Sequence, residues 1–533
     1  MKIIAFLITY IKKHKRQVSL FMLLNLVLWA ISILTPFIVG EYIDRVVESD
    51  DRRVILVAVI SLAVVWALQI ALSYFRNMIS VKVNTLVGYS VNFELIEYIK
   101  RLPVQYFAGK DPAYINSRVS LDSGSVTGFV LGSVLGLVTT ILTFSLSLTI
   151  MFFLNIEIAL MICLIFPVYI LIYYKFKDPL YDAGLKVAEE SNTFFSTQNK
   201  QISNIKPIKQ HDLNIETAEE LNVGFSTLYK ATIKNARLGY IFNNIDAIVR
   251  YMANMIIFIY SGVQIIEGYM TIGQFTMINS YSLMLISSLS VFLGFGKSYR
   301  NSLVSFNRIQ ELYSTAQEEN GSVEIDSVDC ISISNLSFCY GDKSILKNLN
   351  FKMNKGNIYA IVGENGSGKS TLIDIIVGLR HEYSGEIKYN STDLREIETY
   401  SLRKRHIAIV EQEPTLYYNK VMEHVNTTGI DNTAADYWIN RLDLSYLVSS
   451  YDSCKNQTWQ TNLSGGEKQR LTIARALIKN TDVLVMDEPN SAIDNDSLQL
   501  LIDIILELKN EKLIILVTHN KDLISISDFV IRL

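Results

Sequence analysis

Nine consecutive residues, Gly363, Glu364, Asn365, Gly366, Ser367, Gly368, Lys369, Ser370 and Thr371, fit G-x-x-x-x-G-K-[ST], the pattern of a phosphate-binding loop. Glycines let backbone N–H groups converge on phosphate oxygens, and a helix starting there adds partial positive charge. At this spacing Lys369 reaches β- and γ-phosphates, and the Ser370 hydroxyl is placed to ligate Mg²⁺. A second stretch, the apolar residues 483–486, ends in Asp487 and Glu488. A buried strand ending this way sets Asp487 beside the metal and Glu488 where it polarises an attacking water. Such an acidic strand end is common by itself; downstream of a phosphate loop in one α/β domain it becomes specific. A third stretch, Leu463, Ser464, Gly465, Gly466 and Glu467, precedes the helix-forming residues 468–477. Ser464 with two glycines at a helix N-terminus is another anion-binding end. One site cannot easily use both phosphate grips, so two copies of the domain sandwiching nucleotide head to tail are expected.

The elements that must position these residues follow from the apolar pattern. Residues 358–362 read as a strand entering the phosphate loop, and 372–377 as the helix leaving it. Further short apolar runs at 331–338, 349–353, 407–410, 483–486 and 513–517 alternate with helical stretches, an α/β pattern with a parallel sheet.

The preceding 300 residues differ in kind. The chain of 533 residues is 50% hydrophobic and 19% charged, below the roughly 25% charge of ordinary soluble domains. Uncharged runs predict six membrane spans, at about 17–43, 54–75, 124–154, 157–175, 248–267 and 270–297. The uncharged core of the fifth, 251–266, needs its flanks to complete a span. Lys12, Lys13, Lys15, Arg16 and the Lys- and Arg-rich connections 76–122 and 175–250 place both termini in the cytoplasm. Those connections are too long for simple loops. They read as spans continuing as helices and turning back near 107–122 and 199–215, where they would touch a soluble domain. Gly124, Gly128, Gly132 and Gly136 line one helix face and predict close helix packing, within the subunit rather than across a dimer seam. Asp246 and Arg250, one turn apart with Asn243 nearby, either mark a polar path or pair with each other at the interface. Residues 306–328 read as a polar linker, so the expected division is a membrane domain at 1–305 and a soluble domain at 329–533. A net charge of −3 gives no case for nucleic acid. Cys163, Cys330, Cys339 and Cys454 are scattered and read as reduced thiols, Cys339 as buried near the phosphate loop.

Residues 463–469 resemble the signature motif of ATP-binding cassette (ABC) proteins, and nearly the whole chain resembles a half-transporter of the exporter type. The resemblance implies a polytopic α-helical membrane domain of six transmembrane helices fused to an α/β P-loop ATPase domain of the ABC type. It implies ATP and Mg²⁺ as ligands and an ATP hydrolase coupled to export. By position, Tyr340 matches the aromatic that stacks on adenine, and Gln412 the Q-loop glutamine that senses Mg²⁺, making Ser370, Gln412 and Asp487 the metal set. Glu488 matches the catalytic base, 491–494 the D-loop and His519 the switch histidine; Lys369 and Gln412 complete the catalytic group. Ser464, Gly465 and Gly466 would bind nucleotide in trans, and the turn regions would be coupling helices. The implied assembly is a homodimer, with a related half-transporter as the alternative partner, in a bacterial cytoplasmic membrane. Its cargo would be a peptide or an amphipathic small molecule, alternatively a lipid or drug; an ATP-gated channel or sensor is the rival of another class. Glu467 stands where exporters mostly have Gln, and residues 455–460 replace an acidic, glycine-bearing segment. The chain stops where the family's closing helices are expected, which predicts that nucleotide-free subunits hold together through their membrane helices.

Overall fold

The computed structural model describes residues 2–48, 52–110, 112–418, 420–427, 432–451 and 463–533. The segment 455–460 and Cys454 lie outside the described residues. The chain divides into two compact units, Met1–Lys100 with Asp111–Thr315, and Arg101–Lys110 with Ala316–Leu533.

The first unit contains six helices long and apolar enough to cross a membrane: Lys15–Glu48, Ile55–Ile99, Tyr114–Leu154, Ile156–Ser203, Asn214–Ile266 and Ile272–Ser314. They run 34 to 53 residues, about 50–80 Å at helical rise, against the ~30 Å of a hydrocarbon core. Each expected span is therefore the apolar part of a longer helix. Asn155 separates the third from the fourth: its side chain accepts the N–H groups of Glu157 and Ile158, both at 3.1 Å, and caps the new helix. The sixth begins with a capping box, Thr271 with Gln274.

The glycine row 124–136 does not pack as expected. A Cβ built on any of the four meets nothing within 4 Å among the described residues. The close approach lies elsewhere, between the first and sixth helices. A Cβ at Gly40 would stand 2.6 Å from the Gly273 carbonyl oxygen, so only glycine fits. Asp44, one turn on, accepts the Thr271 hydroxyl at 2.6 Å and the Gly273 N–H at 2.7 Å, tying two helices 227 residues apart. Asp246 and Arg250 do pair, at 3.4 Å.

In the second unit a five-stranded sheet runs in the order β6 (Ile407–Val410), β7 (Val483–Asp487), β8 (Leu513–Val517), β3 (Ile358–Val362) and β9 (Phe529–Arg532), all parallel. Both faces are covered, so the strands are nearly continuous apolar runs, and alternate residues serve different cores. Leu513, Ile515 and Val517 join one cluster; Ile514 and Leu516 join the other. Sequence periodicity did not separate out a second, antiparallel sheet of β1 (Cys330–Tyr340), β2 (Lys343–Asn354), β4 (Ser384–Tyr389) and β5 (Thr392–Asp393), in the order β2-β1-β4-β5.

The expected linker is not free chain. Its first part belongs to the helix ending at Ser314. The rest is tied to the second unit: Val323 N–H donates to Glu396 O at 2.9 Å, Glu398 N–H to Val323 O at 2.8 Å, and Asn320 accepts Thr399 N–H at 2.7 Å. The first turn starts ahead of 107, because the helix stops at Ile99 and Pro103 precedes a short 3₁₀ turn, Val104–Phe107. Within the second unit Arg101 O accepts Glu318 N–H at 2.7 Å, and Gln105 donates to Glu382 at 3.3 Å. The other turn falls in the expected region, at the short helix Ile205–Gln210. Cys339 is exposed rather than buried, since it lies at the hairpin end of β1, paired with Ser344 of β2 but beyond the last residue paired with β4, Ser337; Cys163 and Cys330 are free and half-buried.

Candidate nucleotide site

A cleft of about 380 Å³ opens at the C-terminal ends of the parallel strands, where ligands of such sheets bind. Tyr340, Asn365, Gly366, Gly368, Lys369, Ser370, Thr371, Gln412, Asp487 and Glu488 line it, together with Ile345, which sequence reasoning missed. Ile345 comes from β2, the sheet the periodicity did not reveal, and no motif marks it.

The local fold explains the crowding. β3 delivers its chain into the loop, and the helix Lys369–Ile376 leaves it. Gly366 and Gly368 take left-handed conformations, φ 84° and 101°, which side-chain-bearing residues avoid. At Gly368 a Cβ would also fall 2.6 Å from Ile345 Cγ2, so the position is closed twice over. Gly363 is closed too: its Cβ would lie 2.6 Å from Ser367 Oγ. Lys369 Nζ donates to the carbonyl oxygens of Gly363 at 2.6 Å and Glu364 at 3.1 Å, and lies 3.1 Å from His519 Nε2. The Ser367 hydroxyl is buried without a hydrogen-bond partner among the described residues.

On the facing strands, Ser370 Oγ donates to Asp487 Oδ2 at 3.4 Å. Burial, and then the neighbouring Glu488 charge, push the Asp487 carboxyl above the usual carboxylate range. Glu488 follows in a left-handed conformation, φ 46°, a strained backbone for a residue with a side chain, held by its N–H to Val517 O at 2.8 Å. His519 Nε2 is 3.9 Å from Glu488 Oε1. Gln412 sits on the bend after β6, beside Glu411, whose carboxylate takes both oxygens' worth of bonds from Arg475 at 2.7 and 2.9 Å. The Tyr340 ring packs edge-on against Phe338 at 4.9 Å, with the Arg380 guanidinium 5.1 Å from its centroid. The orphaned Ser367 hydroxyl, the glycine cradle and the oxygen donors Ser370, Asp487 and Gln412 fit a nucleotide triphosphate with Mg²⁺.

Ser464, Gly465 and Gly466 do not line this cleft. Ser464 caps the helix Gly465–Ile478, with its hydroxyl and its N–H both donating to Glu467 Oε2 at 2.6 Å. Burial works against the Glu467 charge, but these bonds and one from Tyr446 hold its carboxyl below the usual range. The glycines abut residue 492: a Cβ at Gly466 would lie 2.9 Å from Ala492 O. Asp494 then caps the helix Asn495–Leu508.

A fused array of six spanning helices and a phosphate-loop α/β unit defines a membrane ATPase. A family model described as ABC transporter transmembrane region matches residues 18–289, and one described as ABC transporter matches 346–491. The chain belongs to the ABC transporter family, as a half-transporter of the exporter type. It is similar to the transport/processing ATP-binding protein ComA of Streptococcus pneumoniae, 22% identical over 519 residues, 95% of this chain and 72% of that one. It is equally similar to an ATP-dependent lipid A-core flippase of Syntrophus aciditrophicus, 22% over 513 residues, 93% and 84% of the two chains. A putative multidrug export ATP-binding/permease protein of Staphylococcus aureus is 25% identical over 545 residues, 98% and 93% of the two chains. Among solved structures, a bacterial Atm1-family ABC exporter with ATP bound has the same fold, with TM-score 0.84 and 19% identity over 97% and 93% of the chains. This multi-pass membrane protein hydrolyses ATP to drive transport.

Proposed function

We propose that two copies of the chain form an exporter that moves a peptide or amphipathic small molecule out of the cytoplasm by alternating access. The observation carrying this reading is the split of the site: one chain gathers Lys369, Ser370, Asp487 and Glu488 in a cleft, with His519 against Lys369 at its edge, and leaves Ser464–Gly466 outside it. Lys369 exchanges the Gly363 and Glu364 carbonyls for the β- and γ-phosphates. Backbone N–H groups of the glycine loop and the Ser367 hydroxyl cradle the phosphate chain, and Tyr340 offers its ring to adenine. Ser370, Asp487 and Gln412 hold Mg²⁺, which when bound neutralises phosphate charge. Glu488 takes the proton from the attacking water, and His519 stabilises the γ-phosphate. Ser464, Gly465 and Gly466 of the second copy close the site from the other side. Hydrolysis removes the bridge, and the copies part. The basic residues flanking the spans support cytoplasmic termini in a bacterial membrane. Relatives named for lipid A-core flipping and multidrug export support a cargo with an apolar part.

The test is Glu488→Gln in proteoliposomes. It should lower ATP turnover by roughly 10²–10⁴-fold, the usual worth of a general base, and abolish ATP-driven uptake while ATP still binds. A variant that retains uptake rules out the pump; one that retains passive conductance with ATP bound identifies a gate instead.

A further inference from the structure

The six-helix unit encloses a cavity of about 390 Å³ between the helices Phe166–Ser203, Asn214–Ile266 and Ile272–Ser314. That volume suits a small organic ligand. Lys177 and Arg300 line it just beyond the apolar stretches of the fourth and sixth helices, and Asp246 just before that of the fifth. All three charges thus stand at one depth, the margin between hydrocarbon and headgroups, where an amphipathic molecule concentrates.

The charges are not balanced within the cavity. Asp246 is engaged by Arg250 at 3.4 Å and by the Ser290 hydroxyl at 3.3 Å. Arg300 lies 3.7 Å from the Asp178 carboxylate and over the Tyr181 ring at 5.1 Å. Lys177 has only the Tyr174 ring, 4.8 Å from Nζ, and no carboxylate within ion-pair distance among the described residues. One cation is therefore left over. A half-buried cation without a counter-ion favours binding an anion, because the anion regains Coulomb energy that water no longer fully supplies. Beside it, Phe242 and Tyr181 offer aromatic walls. Gly239 and Gly294 leave the space open, since a Cβ on either meets nothing within 4 Å.

We propose that this cavity binds an amphipathic carboxylate, the anionic head at Lys177 and the apolar body against Phe242 and Tyr181 over the glycine-lined wall. The inference deepens the transport reading by naming a cargo class, but binding itself requires no ATP. The test uses the full chain in lipid nanodiscs without nucleotide, titrated with dansylglycine, an aromatic carboxylate, and with dansylcadaverine, its cationic counterpart. Dansylglycine should bind about tenfold more tightly, the value of one charge-assisted contact of ~1.4 kcal/mol. Lys177→Gln should erase that preference and Lys177→Arg keep it. Gly294→Leu should exclude both probes with the melting temperature unchanged, and Gly239→Leu repeats the steric arm should the first substitution lower it. Equal affinity for the two probes, or unchanged dansylglycine affinity in Lys177→Gln and the leucine variants, overturns the proposal. Failure of ATP-driven uptake in the unaltered protein would count against the transport reading alone and leave this result standing.

Discussion

Asp487 is a carboxyl whose burial is costly to the resting protein, and in the proposed cycle it is one of the groups that would hold Mg²⁺. Its folded-state pKa lies above the ordinary carboxylate value, through burial first and the Glu488 charge second. A raised acid pKa means that the folded state holds its proton more tightly than the unfolded chain does. Stability from this group is then full at low pH and is lost as pH rises through the shifted value. Asp487→Asn should accordingly raise the melting temperature of the nucleotide-free protein at pH 7–8 by a few degrees, with the gain vanishing at about pH 4, as followed by thermal unfolding. The same variant should lose Mg²⁺-dependent ATP turnover. Had the wild-type carboxylate been comfortably solvated, no such pH-dependent gain would appear. The sequence made the positions of the nine-residue loop, Asp487 and Glu488 legible, because phosphate chemistry demands those types at those spacings. It did not disclose the left-handed backbone at Glu488, which is set by the Val517 carbonyl on a neighbouring strand.

At the scale of elements, apolar runs disclosed six spans and the parallel strands, since burial on all sides leaves an unmistakable run of Ile, Leu and Val. The antiparallel sheet was less visible, because β1 and β2 mix exposed polar residues such as Lys343, Lys347 and Asn350 with their core positions. Small residues were a poor guide to helix contacts. Among the described residues nothing approaches the regular row from Gly124 to Gly136, whereas the isolated Gly40 and Gly273 permit the close approach. No periodicity marks a contact made by one glycine on each of two distant helices. Asp44 fastens that contact, so Asp44→Ala should destabilise the membrane unit by about 1–2 kcal/mol through the lost cap of the sixth helix. Asp44→Asn, which keeps an acceptor for the Gly273 N–H, should cost less. Melting curves of detergent-solubilised protein give the comparison, and equal losses for both variants would contradict the capping role.

For the whole molecule, the separation of Lys369 from Ser464 gives a complementation prediction. Lys369→Ala and Ser464→Arg should each abolish turnover when present in every copy. Mixed before reconstitution, the two variants should recover part of the activity, because one of the two sites in a mixed pair has both halves intact. Equal mixing makes half the pairs mixed if association is random, so recovery should approach about a quarter of wild-type turnover per site counted. No recovery at any ratio would mean that a site is completed within one chain. Glu467 bears on the same closure, because its carboxylate already occupies the Ser464 hydroxyl and amide.

β3 leads through the glycine loop to Lys369, β7 directly to Glu488 and β8 two residues on to His519, and these are neighbouring strands whose registers are locked residue against residue. Strands bonded in this way do not slide by fractions of an ångström independently of one another. The chain's own share of the machinery is thus a stiff anvil, and the tempo of turnover belongs to whatever brings the hammer.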